Sequence, residues 1–259
     1  MLKIYHKLLE WLQSIKHQKN NMKNIFALIA ILIVVNTSSA QLFTKEKVQN
    51  NQSMDKQLLS WGYYFGTNNL DFKIDYDSNL GDIQTEKTFG FNVGLVGDLR
   101  VNDYINFRLE PGLVITSRNL MYPENYFEGI EDTNSSDFLR EVKSTYIYVP
   151  LLLRLSTKRI NNFKPFITFG LATALNLSSN EKNPEDNSGG EFRTTKNTLF
   201  YDIGFGIDFY LYWFKFTPSI RGVFAMNDEL IRDKDPNSPW TGNITSLKTR
   251  GVFINFTFR

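Results

Sequence analysis

From about residue 58 to residue 259 the chain repeats one pattern, a run of alternating apolar and polar residues followed by a break. The runs cover about 59–74, 89–101, 104–117, 142–156, 164–177, 198–211, 214–226 and 248–259. Alternation with a period of two is typical of β-strands whose two faces meet different surroundings. The sequence therefore predicts an all-β fold with eight strands.

The breaks between these runs are alternately long and short. Long polar breaks fall at 75–86, 119–138, 179–194 and 228–245, and short ones near 102–103, 157–162 and 210–213. Transmembrane β-barrels have this asymmetry, because their periplasmic turns are short and their extracellular loops are long. We therefore predict an eight-stranded antiparallel up-and-down transmembrane β-barrel over 58–259, located in the bacterial outer membrane. Because the strand number is even, both termini are expected on the periplasmic side.

Residues 22–40 have the features of a cleavable signal peptide. A basic start at Lys23 precedes an unbroken apolar run of 11 residues at 25–35, and small residues follow up to Ala40. A transmembrane helix needs roughly 20 apolar residues, so this run is too short to be one. Cleavage is expected between Ala40 and Gln41.

The segments on either side of the signal peptide are less regular. Residues 1–21 are basic and loosely amphipathic, which suits either a start-site extension or a helix at a membrane surface. We favour the extension, because Met22 already begins a complete signal peptide. Residues 41–57 are polar without periodicity, and we expect them to form a periplasmic lead-in.

Composition excludes several kinds of function. The chain has no cysteine, and both histidines, His6 and His17, precede the expected cleavage site. Histidine general bases, Ser-His triads and histidine metal sites are therefore excluded from the processed chain. Residues 41–259 carry 24 basic and 26 acidic groups, which gives no argument for nucleic-acid binding. We expect a non-enzymatic protein without a cofactor or small-molecule substrate, in contact with outer-membrane lipid.

The two faces of the predicted strands differ in chemistry. One face is large, apolar and aromatic, and suits lipid, whereas the other carries glycines and charges and suits the crowded lumen of a small barrel. Intramembrane charges can form a selectivity path, or their opposite signs can join them into a plug; alternating signs on neighbouring strands favour the plug. The predicted lumen charges are Asp98, Arg100, Arg108, Glu110, Arg154, Asp202, Asp208, Lys215 and Arg221.

Pro111 and Pro150 lie within the third and fourth predicted strands at similar heights. Each removes a donor from the β-ladder, so we expect either a pair of bulges or a weakened wall at which a partner docks. The Asp-x-Asp-x-Asn spacing at 233–237 opens like a calcium loop, but Ser238 replaces the sixth-position glycine and Ile244 the twelfth-position acid. We expect a turn-rich loop there.

Several stretches resemble the PorT family of outer-membrane barrels of Bacteroidota. They lie at 139–154, 159–166 and 235–242, with the Phe-Gly-Phe-Asn-Val-Gly run at 89–94 and Leu-Glu-Pro-Gly-Leu at 109–113. The resemblance covers nearly all of the chain after residue 40. It implies a role in type IX protein secretion and, in gliding species, in motility, with other secretion proteins as partners. It supplies no catalytic residues. The alternatives are a small-solute porin or a structural outer-membrane barrel.

Overall fold

The computed structural model describes residues 49–50, 52–78, 80–128, 134, 137–184, 187 and 192–259. The predicted extension at 1–21, the signal peptide with Ala40 and Gln41, and the first part of the lead-in lie outside the described residues. In the described part of the chain, no helix has the length and apolar character required to span a bilayer.

The described residues form ten strands and two short 3-10 helices, at Gln52–Asp55 and Glu124–Phe127. The strands are β1 (Leu59–Tyr76), β2 (Gln84–Lys87), β3 (Phe89–Arg100), β4 (Ile105–Leu109), β5 (Gly112–Met121), β6 (Leu139–Ser156), β7 (Phe163–Asn176), β8 (Asn197–Tyr210), β9 (Lys215–Ala225) and β10 (Ile244–Phe258).

The strands close into a ring because β1 pairs with β10 on one side and with β3 on the other. Every pairing is antiparallel, and successive strands are neighbours around the ring. Strands β2 and β3 together form the second strand of the barrel, and β4 and β5 together form the third. Ten strand segments therefore make eight barrel strands, which confirms the predicted fold.

The interruptions in the second and third barrel strands have different causes. Between the pairs Lys87↔Arg118 and Phe91↔Ile115, the second barrel strand advances four residues while β5 advances three, so the second strand bulges near Thr88. The third barrel strand, predicted as continuous over 104–117, breaks at Glu110 and Pro111.

Burial alternates along the strands as the sequence predicts. Leu, Ile, Phe, Tyr and Trp side chains lie exposed on the outer wall, whereas the residues between them are buried in the lumen. Tyr64 and Tyr148 are buried on the inner face, for example, while Tyr63 and Ile147 face outward. Apolar side chains on the outside of a closed barrel are stable only in lipid, so the wall is a membrane-facing surface.

The barrel has a turn end, formed by 101–104, 157–162 and 211–214, and a loop end, formed by the longer connections. Strands β1, β5, β6 and β10 reach further toward the loop end than β7, β8 and β9 do. Their outward residues there are polar or charged, such as Asp71, Lys143 and Arg250. This side of the barrel therefore extends beyond its apolar band.

Candidate functional site

The lumen is the candidate site, because the strands aim most of the buried charged side chains into it. Near the turn end, nine charged residues form what we call the inner network. Its members are Asp98, Arg108, Glu110, Arg154, Asp202, Asp208, Lys215, Arg221 and Arg259, each no more than 9% exposed or, for Arg259, with a side chain 3% exposed. Eight of them were predicted from strand alternation.

Arg108 and Arg221 share one carboxylate in this network. Arg108 Nη1 lies 3.1 Å from Glu110 Oε1, and Arg221 Nη1 lies 2.8 Å from Glu110 Oε2. Arg221 Nε also lies 3.4 Å from Asp202 Oδ2. Glu110 belongs to the third barrel strand and Arg221 to the seventh, so this ion pair joins opposite walls across the lumen.

Asp208 is the second node of the network. Arg154 pairs with Asp208, Lys215 Nζ lies 3.6 Å from its Oδ2, and Thr217 Oγ1 donates a hydrogen bond of 2.7 Å to its Oδ1. Arg154 also stacks on Phe166, with its guanidinium carbon 3.7 Å from the ring centroid. The charges are thus held by several partners at once, which fixes their positions.

Arg259 is a member of the network that the sequence analysis missed. Its Nη1 lies 2.8 Å from Asp98 Oδ2 and donates a hydrogen bond of 3.1 Å to Ser60 Oγ. The signal was present, because Asn255 and Thr257 face the lumen and Arg259 continues their alternation. Its side chain ties β10 to β1 and β3 at the seam where the barrel closes.

Arg100 does not join the inner network, although the sequence placed it in the lumen. It forms an ion pair with Asp103 in the turn between β3 and β4, and about a third of its side chain is exposed. Because it is the last residue of β3, its side chain reaches solvent at the turn end. Arg100 therefore faces the lumen, as predicted, and lines the polar space at the turn end beside Asp98 and Arg154, but its ion pair is with the turn and not with the inner network.

The middle of the lumen is apolar and aromatic, which the expectation of a polar lumen did not include. Tyr148 packs edge-on against Phe200 and Phe253, with both ring centroids 5.6 Å away. The hydroxyl of Tyr148 donates to Asp202, so this layer is joined to the inner network. The middle layer comprises Leu70, Val114, Tyr146, Tyr148, Ala172, Ala174, Phe200, Val223, Ala225 and Phe253.

A second polar layer follows around Arg118, which is fully buried. Arg118 donates hydrogen bonds of 2.9 Å to Thr249, 2.7 Å to Ser144 and 3.1 Å to the Tyr146 hydroxyl. Thr249 in turn donates to Glu229 at 3.0 Å. The sequence analysis missed both Arg118 and Glu229. The predicted third strand ended at residue 117, one residue short of Arg118, and Glu229 lies in a loop.

The loop end is closed by an apolar cap, which the sequence did not predict. Phe127 packs against Phe138 and Trp240 with centroid distances of 4.8 and 5.9 Å, and Arg140 lies over the Trp240 ring at 4.7 Å. Burial raises the pKa of Tyr122 well above its ordinary value, as expected of a dry interior. The cap residues are Phe72, Ile83, Leu120, Tyr122, Tyr126, Phe127, Val142, Phe192, Leu230, Ile244 and Leu247.

The turn end is crossed by the described residues that precede β1, which we call the strap (residues 50 and 52–58). Asn50 donates from its backbone to Asn162 at 2.9 Å and from its side chain to the Tyr210 carbonyl at 3.2 Å. Both acceptors, Asn162 before β7 and Tyr210 at the end of β8, lie on the far side of the barrel from β1. Met54 and Gln57 line the polar space beneath, which has a volume of about 20 Å³. A single water needs roughly 10–15 Å³, so the strap leaves little open volume.

The two prolines singled out from the sequence, Pro111 and Pro150, occupy different faces of the barrel wall. Pro150 is buried on the inner face of β6, whereas Pro111 is half-buried on the outer face. Leu95 donates to the Pro111 carbonyl at 2.9 Å and Glu110 to the Pro150 carbonyl at 3.2 Å, but neither proline can return a bond. The bulge interpretation is wrong, because the pairing register is the same before and after the break on both sides. A partner-facing wall, if used, includes Pro111 and excludes Pro150.

In the predicted turn-rich loop at 233–237, the first carboxylate binds other side chains of the protein. Asp233 forms an ion pair of 3.1 Å with Arg193 and accepts a hydrogen bond from Ser238. Within the described ranges, no group of three or more His, Cys, Asp or Glu side chains could hold a metal ion.

These observations define the class of protein: a small transmembrane β-barrel with a filled lumen. The sequence profile of the outer membrane protein beta-barrel domain matches residues 40–230, which is most of the chain. The chain therefore belongs to that family and is a bacterial outer-membrane β-barrel protein.

The chain is also distantly similar to individual proteins of known structure. No curated protein matches the chain significantly. Among solved structures, the N-terminal β-barrel domain of Pseudomonas aeruginosa OprF is 11% identical, with 78% of this chain and 98% of that chain covered and a TM-score of 0.36. Neisserial surface protein A is 9% identical, with 78% of this chain and 98% of that chain covered and a TM-score of 0.42. OprG of Pseudomonas aeruginosa is 14% identical, with 77% of this chain and 93% of that chain covered and a TM-score of 0.42.

Proposed function

We propose that this protein is a non-enzymatic accessory barrel of the type IX protein secretion system, similar to the PorT family. The filled lumen is the observation that carries the first part of this proposal. A barrel whose interior is occupied by its own side chains acts through its outer wall and its two ends. The resemblance of residues 139–154, 159–166 and 235–242 to the PorT family supports the particular machinery.

In the proposed orientation the turn end is periplasmic and the loop end extracellular. Short turns on the periplasmic side and long loops outside are the general rule for outer-membrane barrels. Partners from the secretion machinery would then meet the strap and turns from the periplasm, the outer wall around Pro111 in the membrane, or the capped loops outside.

Deletion of the gene tests the secretion role. Cargo proteins with the carboxy-terminal sorting signal should accumulate in the periplasm, and a plasmid carrying the wild-type gene should restore their release. A periplasmic marker enzyme serves as the control for leakage. Normal secretion of cargo in the deletion strain would refute the proposal.

Accessibility of inserted tags tests the orientation. A tag within the β7–β8 loop at 177–196 should bind antibody on intact cells, whereas a tag in the short turn at 211–214 should bind only after the outer membrane is opened. Labelling in the reverse order would refute the proposed orientation without bearing on the secretion role.

The alternative functions make distinct predictions. A small-solute porin would give stable ohmic conductance in a planar bilayer, but the cross-lumen pairs and both closed ends support a non-conducting barrel. Defined conductance steps from the purified protein would favour the porin. A purely structural barrel would leave cargo secretion intact while its loss increases the sensitivity of cells to detergents.

A further inference from the structure

Four cations lie together on the outer surface of the barrel toward the loop end, and we call them the outer cationic cluster. They are Lys73 on β1, Lys87 on β2, and Lys248 and Arg250 on β10. Two carboxylates lie among them, Asp71 and Asp75, which leaves the group with a formal charge of +2. None of these residues belongs to the lumen.

The cluster lies at the edge of the apolar band. The outward residues of β10 below it are apolar (Val252, Ile254, Phe256 and Phe258), and Arg250 is the first outward charge above them. Arg250 lies eight residues from Phe258, a distance of about 27 Å along the strand. At a strand tilt of about 40° this is about 20 Å along the barrel axis, close to the height of the apolar band. The cluster therefore sits where the phosphates of the surrounding lipid lie.

The pairing register makes this charge arrangement unfavourable by itself. Lys73 and Lys248 are direct partners across the β1–β10 ladder and share the outer face. Like charges directly opposite each other destabilise an antiparallel pair. Asp75 offsets part of this repulsion through its ion pair with Lys73, and an anion bound between the two lysines would remove the rest.

The carboxylates of the cluster pair with three of its four cations. Asp71 lies 3.0 Å from Lys87 Nζ and 3.3 Å from Arg250 Nη2. Asp75 lies 3.3 Å from Lys73 Nζ and accepts a hydrogen bond of 2.9 Å from Ser246. In the part of the chain that the structure describes, Lys248 forms no ion pair, although Asp75 lies close enough to attract it.

We propose that the outer cationic cluster binds the phosphate group of an anionic lipid in the outer leaflet of the membrane. The acyl chains of that lipid would lie on the apolar wall formed by Val252 and Ile254, and its phosphate would lie between Lys73 and Lys248. A lipid fits better than a soluble acidic partner, because the cations are continuous with the membrane-facing wall. The proposal does not depend on the secretion role.

The test uses the full-length protein in phosphatidylcholine nanodiscs, with and without a fraction of bisphosphorylated lipid A. The variants are Lys73→Gln/Lys248→Gln and, as a control with the same change in charge, Lys182→Gln/Lys196→Gln, which replaces two exposed lysines between β7 and β8. The measurements are the lipid phosphate retained per barrel and the temperature at which the heat-modifiable gel mobility is lost.

Lipid A should raise the unfolding temperature of the wild type and of the control variant, but not that of the Lys73/Lys248 variant. Loss of two surface cations should weaken lipid binding roughly 30-fold. In phosphatidylcholine alone, the Lys73/Lys248 variant should be about as stable as the wild type, because it loses the repulsion together with the exposed Lys73–Asp75 ion pair, which contributes little.

Equal lipid binding by all three proteins, or equal loss in both variants, would overturn the proposal. So would the same stabilisation of the wild type by inorganic phosphate without lipid A, since the ligand would then be a free anion. If the Lys73→Gln/Lys248→Gln variant does not fold, two other measurements decide. Dephosphorylated lipid A must fail to stabilise the wild type, and Lys73→Arg/Lys248→Arg must retain binding of lipid A.

Discussion

Replacement of Arg221 by methionine tests whether the ion pairs that cross the lumen stabilise the barrel. Arg221 is 4% exposed and pairs with Glu110 at 2.8 Å and with Asp202 at 3.4 Å. Methionine fills part of the same volume but leaves two buried carboxylates with one cation fewer. Removal of one partner from a buried pair destabilises a protein by about 3–5 kcal/mol, because the remaining charge is uncompensated.

The expected loss for Arg221→Met is therefore about 3–5 kcal/mol in the free energy of unfolding. For a chain of this size it corresponds to a fall of roughly 10 °C in the unfolding temperature. Urea unfolding of the protein in phospholipid vesicles, followed by tryptophan fluorescence, measures the free energy. Lys143→Met is the matched control, since Lys143 pairs with Glu141 on the exposed surface and should contribute about 0–1 kcal/mol.

The double variant Arg221→Met/Glu110→Gln separates an unpaired charge from lost packing. Glutamine carries no charge to leave uncompensated, so the double variant should be more stable than Arg221→Met alone. A change below about 1 kcal/mol in Arg221→Met, equal to the surface control, would refute the plug as a stabilising structure. Strictly additive losses in the double variant would refute the coupling between opposite walls.

Three further changes test other parts of the structure. Arg118→Ala should cost about 3 kcal/mol or more, measured by urea unfolding, because it removes three hydrogen bonds and leaves a cavity; a loss below 1 kcal/mol would contradict this. Gly170→Ala should cost about 1–3 kcal/mol and lower the unfolding temperature, because its Cβ would overlap a backbone carbonyl of β6, whereas Gly97→Ala meets only a tryptophan ring and should be tolerated. Pro111→Val should reduce recovery of partner proteins in crosslinked pull-downs while Pro150→Val leaves it unchanged; equal recovery with both would end the idea of a docking wall at Pro111.

Much of the fold follows from local chemistry in the sequence. Alternation places residues such as Ile147 outside and Tyr148 inside, because only a two-sided strand repeats every second residue. The same alternation identified eight of the nine members of the inner network. It would also have placed Pro150 inside, since Pro150 shares the parity of Tyr148 and Arg154, but the sequence analysis grouped Pro150 with Pro111 as one wall.

The remaining features depend on contacts between distant parts of the chain. Glu229 reaches the Arg118 layer from a loop, and the cap joins side chains from several loops through Phe127 and Trp240. No periodicity marks such residues, because a loop has no fixed alternation. The apolar middle layer was missed for another reason: Tyr146 and Tyr148 suit a membrane interface as well as a packed lumen.

The strap also bears on the order in which the barrel can assemble. Asn50 binds the carbonyl of Tyr210, 160 positions along the chain, and Asn162, 112 positions along. Asn162 lies in the β6–β7 turn and Tyr210 ends β8, so both acceptors take their places only after the hairpins around them have formed. The first described residues can therefore dock only among the last events of folding, since contacts so distant in sequence form late. Docking of Asn50 would thus mark a completed barrel, because the turn end of an unfinished barrel would still be uncovered.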